Sequence, residues 1–455
     1  MLDTLYKVKF NWPLFAVVAI FLYVFNPGLS LYSYFALLIF IHQVFLFFFA
    51  MNSVVPIRYL FGVLMCLQMF LGPALAYNGL DQYQYQYYRM VVPEAVYFGY
   101  AIPAVTCFII GLHLFARKLE GENLDMAGIK RFAQQHQVLP YWLIGIGFMT
   151  SIVSAFFSSD WAFFLYLLGN LKFIGVFLLI LSGKELKWLE LTVVYGSIVV
   201  SSLSGGMFHD LLTWLMMLGA ILAIKFKPNE RFKLIFSLSF VIAVVVLQQL
   251  KGAYRTATGG GDEAGIETMQ KVYEQKQEDN SLFNFLSMAG NNTRINQGFI
   301  ITNIMRTVPA KVPFANGTEL NLLLEAAIMP RFLAPDKLKA GDRALFTRYT
   351  GLNLRSGTSM GLSSVGDAYI NFGIVGGCIF MFLLGLLYNF VLKQFYRFSK
   401  NMPVLLLFTT LVFYYPIRPD CELQTILGHL VKSCFLIFVI FFIWKKQFRV
   451  QPAES

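Results

Sequence analysis

Charged side chains are scarce in this sequence. Only 13% of its 455 residues are charged, whereas 57% are hydrophobic. Soluble domains carry about 25% charged residues, so this composition excludes a soluble globular enzyme and a disordered protein. The same composition excludes a disulfide scaffold. The five cysteines form no CxxC pair and lie mostly in apolar runs, so we expect them to act as small hydrophobic residues. The five histidines lack metal-ligand spacing, and no nucleotide-binding motif is present.

The sequence instead contains many long runs of apolar residues. A helix needs about 20 mostly apolar residues to cross a bilayer. The sequence therefore predicts an all-α, polytopic membrane helix bundle with about twelve spans. The predicted spans are 11–27, 31–50, 55–77, 94–116, 139–157, 161–182, 188–205, 208–226, 232–250, 365–392, 402–417 and 423–444.

The positions of lysine and arginine predict the orientation of the spans. If the N-terminus is cytoplasmic, nineteen basic residues fall on the inner side, and only Arg89 and Arg418 fall in short outer segments. Basic residues accumulate on the cytoplasmic side of membrane proteins, so both termini are predicted to be cytoplasmic. The net charge of +11 then reflects topology, and we do not expect nucleic acid as a partner.

One segment is much longer than the other connections. Residues 251–364 separate the ninth and tenth predicted spans and carry helical periodicity, so we expect a large, helix-rich extracytoplasmic loop. This divides the chain into three parts. They are an N-terminal transmembrane region of about nine spans (1–250), the loop (251–364), and a C-terminal region of about three spans with a cytoplasmic tail (365–455).

Two lysines lie near the middle of predicted spans. An ionised residue there costs about 2.5–3.5 kcal/mol on insertion scales, so it needs a partner or a polar cavity. Lys172 lies in the sixth span, and Lys432 lies in the twelfth, one turn after His429. They indicate either a cavity that receives an anion or structural lysines paired inside the bundle.

Further polar residues gather where spans meet the outer side. His209 and Asp210 open the eighth span, and the sequence from Arg418 through Asp420 to Glu422 precedes the twelfth. Arginine binds phosphate oxygens in a bidentate manner, and a nearby carboxylate can act as a general base. This pattern suits a phosphate or diphosphate substrate, although on these residues alone an ordinary interfacial belt of charges is the more common explanation.

Three segments resemble one family. Ser204-Gly-Gly precedes a span that is followed by Leu250-Lys-Gly-Ala-Tyr-Arg255. Met329-Pro-Arg331-Phe-Leu-Ala-Pro-Asp336-Lys337 leads into Gly366-Asp367-Ala-Tyr-Ile-Asn371-Phe-Gly373. Arg418-Pro-Asp420 precedes the last span. Their order resembles the Wzy-type polysaccharide polymerases of bacterial envelopes, the O-antigen and enterobacterial-common-antigen group. The likeness covers about the C-terminal 260 residues, and the N-terminal half is similar only in hydropathy.

The resemblance implies a reaction at the outer face of the bacterial inner membrane. Such polymerases transfer a growing glycan from undecaprenyl diphosphate onto a new lipid-linked oligosaccharide unit. The sugar–diphosphate bond supplies the energy, so no cofactor or metal is expected. The implied partners are the lipid-linked oligosaccharide, the bilayer, a flippase and a chain-length co-polymerase.

The resemblance also implies site residues. On matched positions, Arg255, Arg331 and Arg418, together with Lys337, are predicted to contact diphosphate. Lys172 and Lys432 match no motif of the family. They are added to the predicted diphosphate contacts only because an ionised residue in the middle of a span is costly and needs a partner. Asp367 is the predicted catalytic base, and His209 is its rival. Related chains can have an arginine where this chain has Phe208, which weakens any role transferred to that segment.

Three alternatives stay open at this point. A ligase that transfers finished glycan to another acceptor would share the fold and the basic site. A transporter or flippase would have two similar halves, and no internal repeat is visible. A non-catalytic scaffold would tolerate loss of Arg255, Arg331, Arg418 and Asp367.

Overall fold

The structure, a computed structural model, describes most of the chain. The described residues are 10–52, 54–79, 88–116, 125–157, 159–183, 185–205, 208–258, 270–271, 273–274, 295–329, 337–338, 341–354 and 360–443. Within them, side chains are not described at 155, 159–160, 162, 204–205 and 248–258.

The described part of the chain is helical and contains no strand. The helices are α1 (Trp12–Phe25), α2 (Leu31–Ala50), α3 (Ile57–Tyr77), α4 (Glu94–His113), α5 (Met126–Gln135), α6 (Leu139–Val153), α7 (Ser159–Gly169), α8 (Leu171–Leu181), α9 (Trp188–Gly205), α10 (His209–Phe226), α11 (Glu230–Thr258), α12 (Gly298–Thr307), α13 (Thr318–Ile328), α14 (Arg343–Thr350), α15 (Ser363–Ser399), α16 (Pro403–Val412) and α17 (Leu423–Ile443). The all-α prediction is therefore confirmed.

Seven helical segments among the described residues are long and apolar enough to cross a membrane. They are Leu31–Ala50, Ile57–Tyr77, Glu94–His113, Phe163–Leu181, His209–Phe226, Ser363–Ser399 and Leu423–Ile443. Four further apolar helices are shorter, and the predicted span 232–250 lies within α11. The total of twelve spans and the side on which each connection lies stay predictions.

The segment predicted as the eleventh span has a different structure. Only Pro403–Val412 is helical, and its first six residues form a 3₁₀ helix. All ten residues are buried in the protein. Ten residues are too short to cross about 30 Å of hydrocarbon.

A close crossing of α4 and α15 lies at the centre of the bundle. Gly111 of α4 lies against the backbone of Phe382, and Gly385 of α15 lies against the backbone of Phe108. A Cβ atom at either glycine would collide with a carbonyl oxygen of the other helix. Small residues allow such close approach between membrane helices, and here they fix the position of α15, which carries Asp367.

Helices from the predicted large loop pack into the bundle. Every residue of α12 except Arg306 is buried. Just before α12, the Gln297 amide donates a hydrogen bond to the Gln68 carbonyl oxygen at 3.2 Å, within a π-helical turn of α3 (Leu67–Leu71). A π turn disturbs the regular helix ladder, and here a loop residue bonds to one of its carbonyls.

Candidate functional site

The segment between α16 and α17 carries an ion pair. Nη2 of Arg418 lies 3.0 Å from Oδ2 of Asp420, and the Arg418 side chain is 16% exposed. The guanidinium also lies over the ring of Tyr415, 5.1 Å from its centroid. The intervening Pro419 restricts the backbone between the two charges.

His209, at the start of α10, interacts with this ion pair. Burial alone would raise the pKa of Asp420, but the positive charge of Arg418, and that of the His209 ring in its imidazolium form, lower it below its usual range. The ring of His209 lies 6.5 Å from that of Tyr414. The structure therefore brings together the two polar sets that the sequence placed at the ends of the eighth and twelfth spans.

Three tyrosines lie near enough to Asp210, the residue after His209, to be affected by its charge. The charge of Asp210 acts on Tyr166 of α7 and on Tyr414 and Tyr415. The ring centroid of Tyr166 lies 6.4 Å from that of Tyr414 and 6.1 Å from that of Tyr415. We call His209, Asp210, Tyr166, Tyr414, Tyr415, Arg418 and Asp420 the His–Arg cluster.

Helix α17 adds a histidine and a lysine beside the His–Arg cluster. The buried His429 ring lies 5.0 Å from that of Tyr415, and its Nε2 donates to the Leu411 carbonyl at 2.8 Å. Nζ of Lys432 lies 4.6 Å from the centroid of Phe163, and Phe163 contacts His429. Lys432 is therefore a neighbour of the cluster.

Lys172 has a different neighbourhood. Its ammonium lies over the rings of Phe148 and Phe173, at 5.0 and 5.6 Å. These contacts place it between α6 and α8. Its predicted contact with diphosphate stays a prediction.

Asp367 is buried in α15, with 3% of its surface exposed. Its Oδ2 accepts a hydrogen bond from the Leu423 amide at 2.8 Å, at the first residue of α17. A helix N-terminus has unpaired amides, so Asp367 fixes this end of α17. The charges of Glu422 and Glu319 also act on it. Its predicted role as catalytic base stays untested, and the hydrogen bond gives it a positioning role.

The remaining predicted contacts divide into three cases. Lys337 donates to the carbonyls of Ala326, at 3.0 Å, and of Met329, and so caps the end of α13. Arg255 lies on α11, but its side chain is outside the described residues. Arg331 lies outside the described residues altogether.

Sequence reasoning missed the aromatic part of the cluster. Tyr166, Tyr414 and Tyr415 lie in apolar runs, where tyrosine is common and gives no signal. The sequence identifies Asp210 and Asp420 as polar residues at the ends of spans. It does not predict that the two residues lie in the same cluster. The assembled groups could take a proton from a hydroxyl, through His209 or a carboxylate, and could stabilise a phosphate through Arg418.

No group of three or more His, Cys, Asp or Glu side chains in the described part of the chain could hold a metal ion.

Comparison with known proteins gives one result. A family model described as a domain of unknown function, DUF8712, matches residues 51–450. The match covers most of the chain, and the chain belongs to this family. No curated protein and no solved structure matches it.

Proposed function

We propose that this member of the DUF8712 family polymerises lipid-linked oligosaccharides. In this proposal it transfers a growing glycan from undecaprenyl diphosphate onto a new undecaprenyl-diphosphate-linked unit. One observation carries the proposal: His209 and the Arg418–Asp420 pair, from distant parts of the sequence, lie against the neighbouring rings of Tyr414 and Tyr415, respectively. The motif resemblance to Wzy-type polymerases supplies the reaction class.

In the proposed mechanism, His209 accepts the proton of the attacking sugar hydroxyl. Asp420 stabilises the imidazolium that forms, because the charges of the two residues interact. The hydroxyl oxygen forms the new glycosidic bond at the anomeric carbon as the bond from that carbon to the diphosphate oxygen breaks. Arg418 stabilises the charge that develops on the departing lipid diphosphate.

The surroundings of Arg418 support this role. The guanidinium is mostly shielded from solvent and lies over Tyr415. Electrostatic stabilisation is stronger in such a site than in water. Its partner Asp420 also holds it in place, so that little reorganisation would be needed during the reaction.

The proposal includes a location. The protein would lie in the bacterial inner membrane with both termini cytoplasmic and the His–Arg cluster near the outer face. A flippase would deliver the lipid-linked units, and a co-polymerase would set the chain length.

A polymerisation assay tests the proposal. The purified protein is incubated with short lipid-diphosphate-linked repeat units from its own source, without nucleotide, with and without chelator. We expect a ladder of longer lipid-linked glycans on a gel in both samples. Loss of a general base typically costs about 10²–10⁴-fold in rate, so His209→Ala should lose the ladder at matched times. Arg418→Ala should do the same.

Matched control variants distinguish loss of a site residue from a general loss of folding. His136→Ala and Arg397→Ala remove the same residue types away from the His–Arg cluster and should leave the ladder intact. A ladder retained in both cluster variants would contradict the assignment of these residues. If Asp367→Asn abolishes the ladder at an unchanged melting temperature while His209→Ala keeps it, the role of base passes from His209 to Asp367.

The product decides between reaction classes. A single transfer to a different acceptor, without a ladder, would indicate the ligase. Movement of the substrate across proteoliposome bilayers, without new linkages, would indicate a transporter. Either result would overturn the polymerase proposal.

A further inference from the structure

Two lysines from different helices meet at the C-terminal end of α8. The ammonium of Lys225, in the last turn of α10, donates a hydrogen bond to the Ile180 carbonyl at 2.8 Å. The side chain of Lys130, on α5, packs against Gly183, where an added Cβ atom would lie 3.0 Å from the lysine Cε. The charge of Lys130 acts on Lys225. We call Lys130 and Lys225 the lysine pair.

The fold holds both side chains of the lysine pair in place. Helix α5 packs against α8 and α16 and buries Ile129 and Phe132, while Lys130 is exposed. Gly183 has φ 84°, which favours glycine, and the missing side chain leaves room for the lysine stem. Lys225 lies at the last carbonyls of α8, where a positive charge is favourable.

The segments around the lysine pair carry excess positive charge. Within 125–135, 182–190 and 225–233, the structure describes four acidic side chains. Asp125 accepts a hydrogen bond from an amide of α5 at 2.8 Å, and Glu190 accepts one from a tyrosine hydroxyl at 3.3 Å. Glu230 pairs with Lys233 at 2.9 Å, and Glu185 is exposed. The basic side chains described in the same segments are Lys130, Arg131, Lys187, Lys225, Lys227, Arg231 and Lys233.

Exposed apolar side chains lie at the same end of the bundle. The ammonium of Lys225 lies 5.7 Å from the ring centroid of Phe226, which is 58% exposed. Helices α9 and α10 pack against each other and are consecutive, so the start of α9 lies beside the end of α10. Trp188 and Leu189, the first two residues of α9, are exposed. Tryptophan beside lysine is typical of the boundary between a bilayer and water.

We propose that the lysine pair binds the phosphate of an anionic phospholipid, whose acyl chains lie along the exposed apolar residues of α9 and α10. Both ammonium groups are donors, and hydrogen bonds from a charged donor to a phosphate are strong. Free phosphate would use the cations but not the apolar residues beside them. The positive-inside pattern predicts that this end is cytoplasmic, so the lipid would belong to the inner leaflet.

This lipid site is separate from the His–Arg cluster. His209 and Lys225 lie at opposite ends of α10, about 24 Å apart along the helix axis. A phospholipid at the lysine pair would hold α5, α8 and α10 together at the end of the bundle away from the cluster. The site therefore does not depend on whether the protein is a polymerase, a ligase or a transporter.

Lipid binding to the purified, delipidated full chain in detergent tests the proposal. Native mass spectrometry counts the bound lipids and gives the Kd of the tightest one. We expect phosphatidylglycerol to bind at least tenfold more tightly than phosphatidylcholine, which has no net charge. Lys130→Gln should weaken the Kd for phosphatidylglycerol about fivefold. Lys130→Arg keeps the charge and should bind as the wild type does.

A matched variant and a competitor complete the test. Lys393→Gln removes the same charge from an exposed position on α15 and should leave the Kd unchanged. Equal weakening by Lys130→Gln and Lys393→Gln would show diffuse attraction and overturn the site. Phosphatidylcholine that binds as tightly as phosphatidylglycerol would also overturn it. Displacement of the lipid by millimolar inorganic phosphate would overturn the lipid as ligand and identify a site for free phosphate.

Discussion

Glu422 connects the His–Arg cluster to the segment before α14. Its carboxylate accepts hydrogen bonds from the Gly341 amide at 2.7 Å and the Thr425 hydroxyl at 3.2 Å. The next two residues also bind other segments: Leu423 binds Asp367, and the Gln424 side chain donates to the Leu338 carbonyl at 2.8 Å. Three consecutive residues thus fix the chain just after Asp420.

Burial of Glu422 makes this connection sensitive to pH. Burial raises the pKa of its carboxyl above the usual range, so the folded state holds the proton more tightly than the unfolded state. The contribution of Glu422 to stability is therefore full at low pH and falls as pH rises through the raised pKa. Glu422→Gln keeps a hydrogen-bond acceptor without the charge. We expect its melting temperature, relative to that of the wild type, to rise as the pH increases above about 4.5, the ordinary pKa of a glutamate carboxyl.

Melting curves in detergent at several pH values check this expectation. Glu325→Gln, an exposed change on α13, serves as control and should follow the wild type at every pH. A Glu422→Gln difference that stays constant with pH would show that the carboxyl titrates normally.

At the scale of residues, the sequence located polar groups better than it located their partners. His209 and Arg418 stood out because they lie at predicted outer ends of spans, where this sequence has few basic residues. Their interaction through Asp420 depends on how α10 meets the segment after α16, and no local pattern encodes that. Asp367 stood out by resemblance, but its hydrogen bond to Leu423 depends on the packing of α15 against α17.

Helix α15 contains a break that only glycine accommodates easily. Gly373 has φ 65° and ψ −155°, within a helix that otherwise runs from Ser363 to Ser399. A side chain there would be strained, and its Cβ would lie 3.3 Å from the ring of Phe314. The break separates the part of α15 that carries Asp367 from the longer part that contains Gly385 and its close approach to α4.

Substitution of this glycine tests the break. Backbone strain of this kind costs about 1–3 kcal/mol, so Gly373→Ala should lower the free energy of unfolding by that amount. Gly99→Ala on α4 places its Cβ in open space and serves as control. Chemical denaturation in detergent measures both. Equal stability of the two variants would mean that α15 straightens without cost.

Among the helices, apolar runs predicted where most of them occur. They did not predict which helices would be short and buried or which would contain a π turn. The predicted boundaries 31–50 coincide with α2, and 423–444 nearly coincide with α17. The prediction of a span at 402–417 was wrong because a run of apolar residues is expected both in a helix that crosses lipid and in a segment buried inside the protein. The π turn of α3 precedes Gly72 and Pro73, and a proline disturbs the helix ladder because it has no amide to donate. The bond from Gln297 to this turn could not be predicted, since it comes from a distant part of the chain.

The orientation of the whole molecule is testable with introduced cysteines. In a variant without the five native cysteines, Ala310→Cys lies in the exposed connection between α12 and α13, and Lys187→Cys lies before α9. The positive-inside pattern predicts that the first is outside and the second inside. A membrane-impermeant maleimide added to intact spheroplasts should label Ala310→Cys at least tenfold more than Lys187→Cys.

Permeabilised cells provide the control, because both cysteines should then react. Labelling of Lys187→Cys alone in intact spheroplasts would invert the topology and move the His–Arg cluster to the opposite face. The lipid-linked donor would then have to be cytoplasmic.

At the scale of the whole molecule, composition predicted the all-helical class because membrane helices need apolar side chains throughout. The packing of α12 into the bundle could not be predicted, since its apolar residues are equally compatible with a separate extracytoplasmic domain. The close crossing of α4 and α15 was also hidden, because glycine is common in membrane helices and its spacing here involves two distant segments.

The hydrogen bond between Gln297 and the π turn of α3 has a consequence for biogenesis. During synthesis, α3 is translated long before Gln297. The Gln68 carbonyl therefore lacks its final hydrogen-bond donor, the Gln297 backbone amide, until that residue has been made. In a bilayer no water is available to replace that partner. The π turn of α3 therefore acquires its full set of hydrogen bonds only after the segment that precedes α12 has been translated. A truncated nascent chain that ends before Gln297 would lack the donor that binds the Gln68 carbonyl.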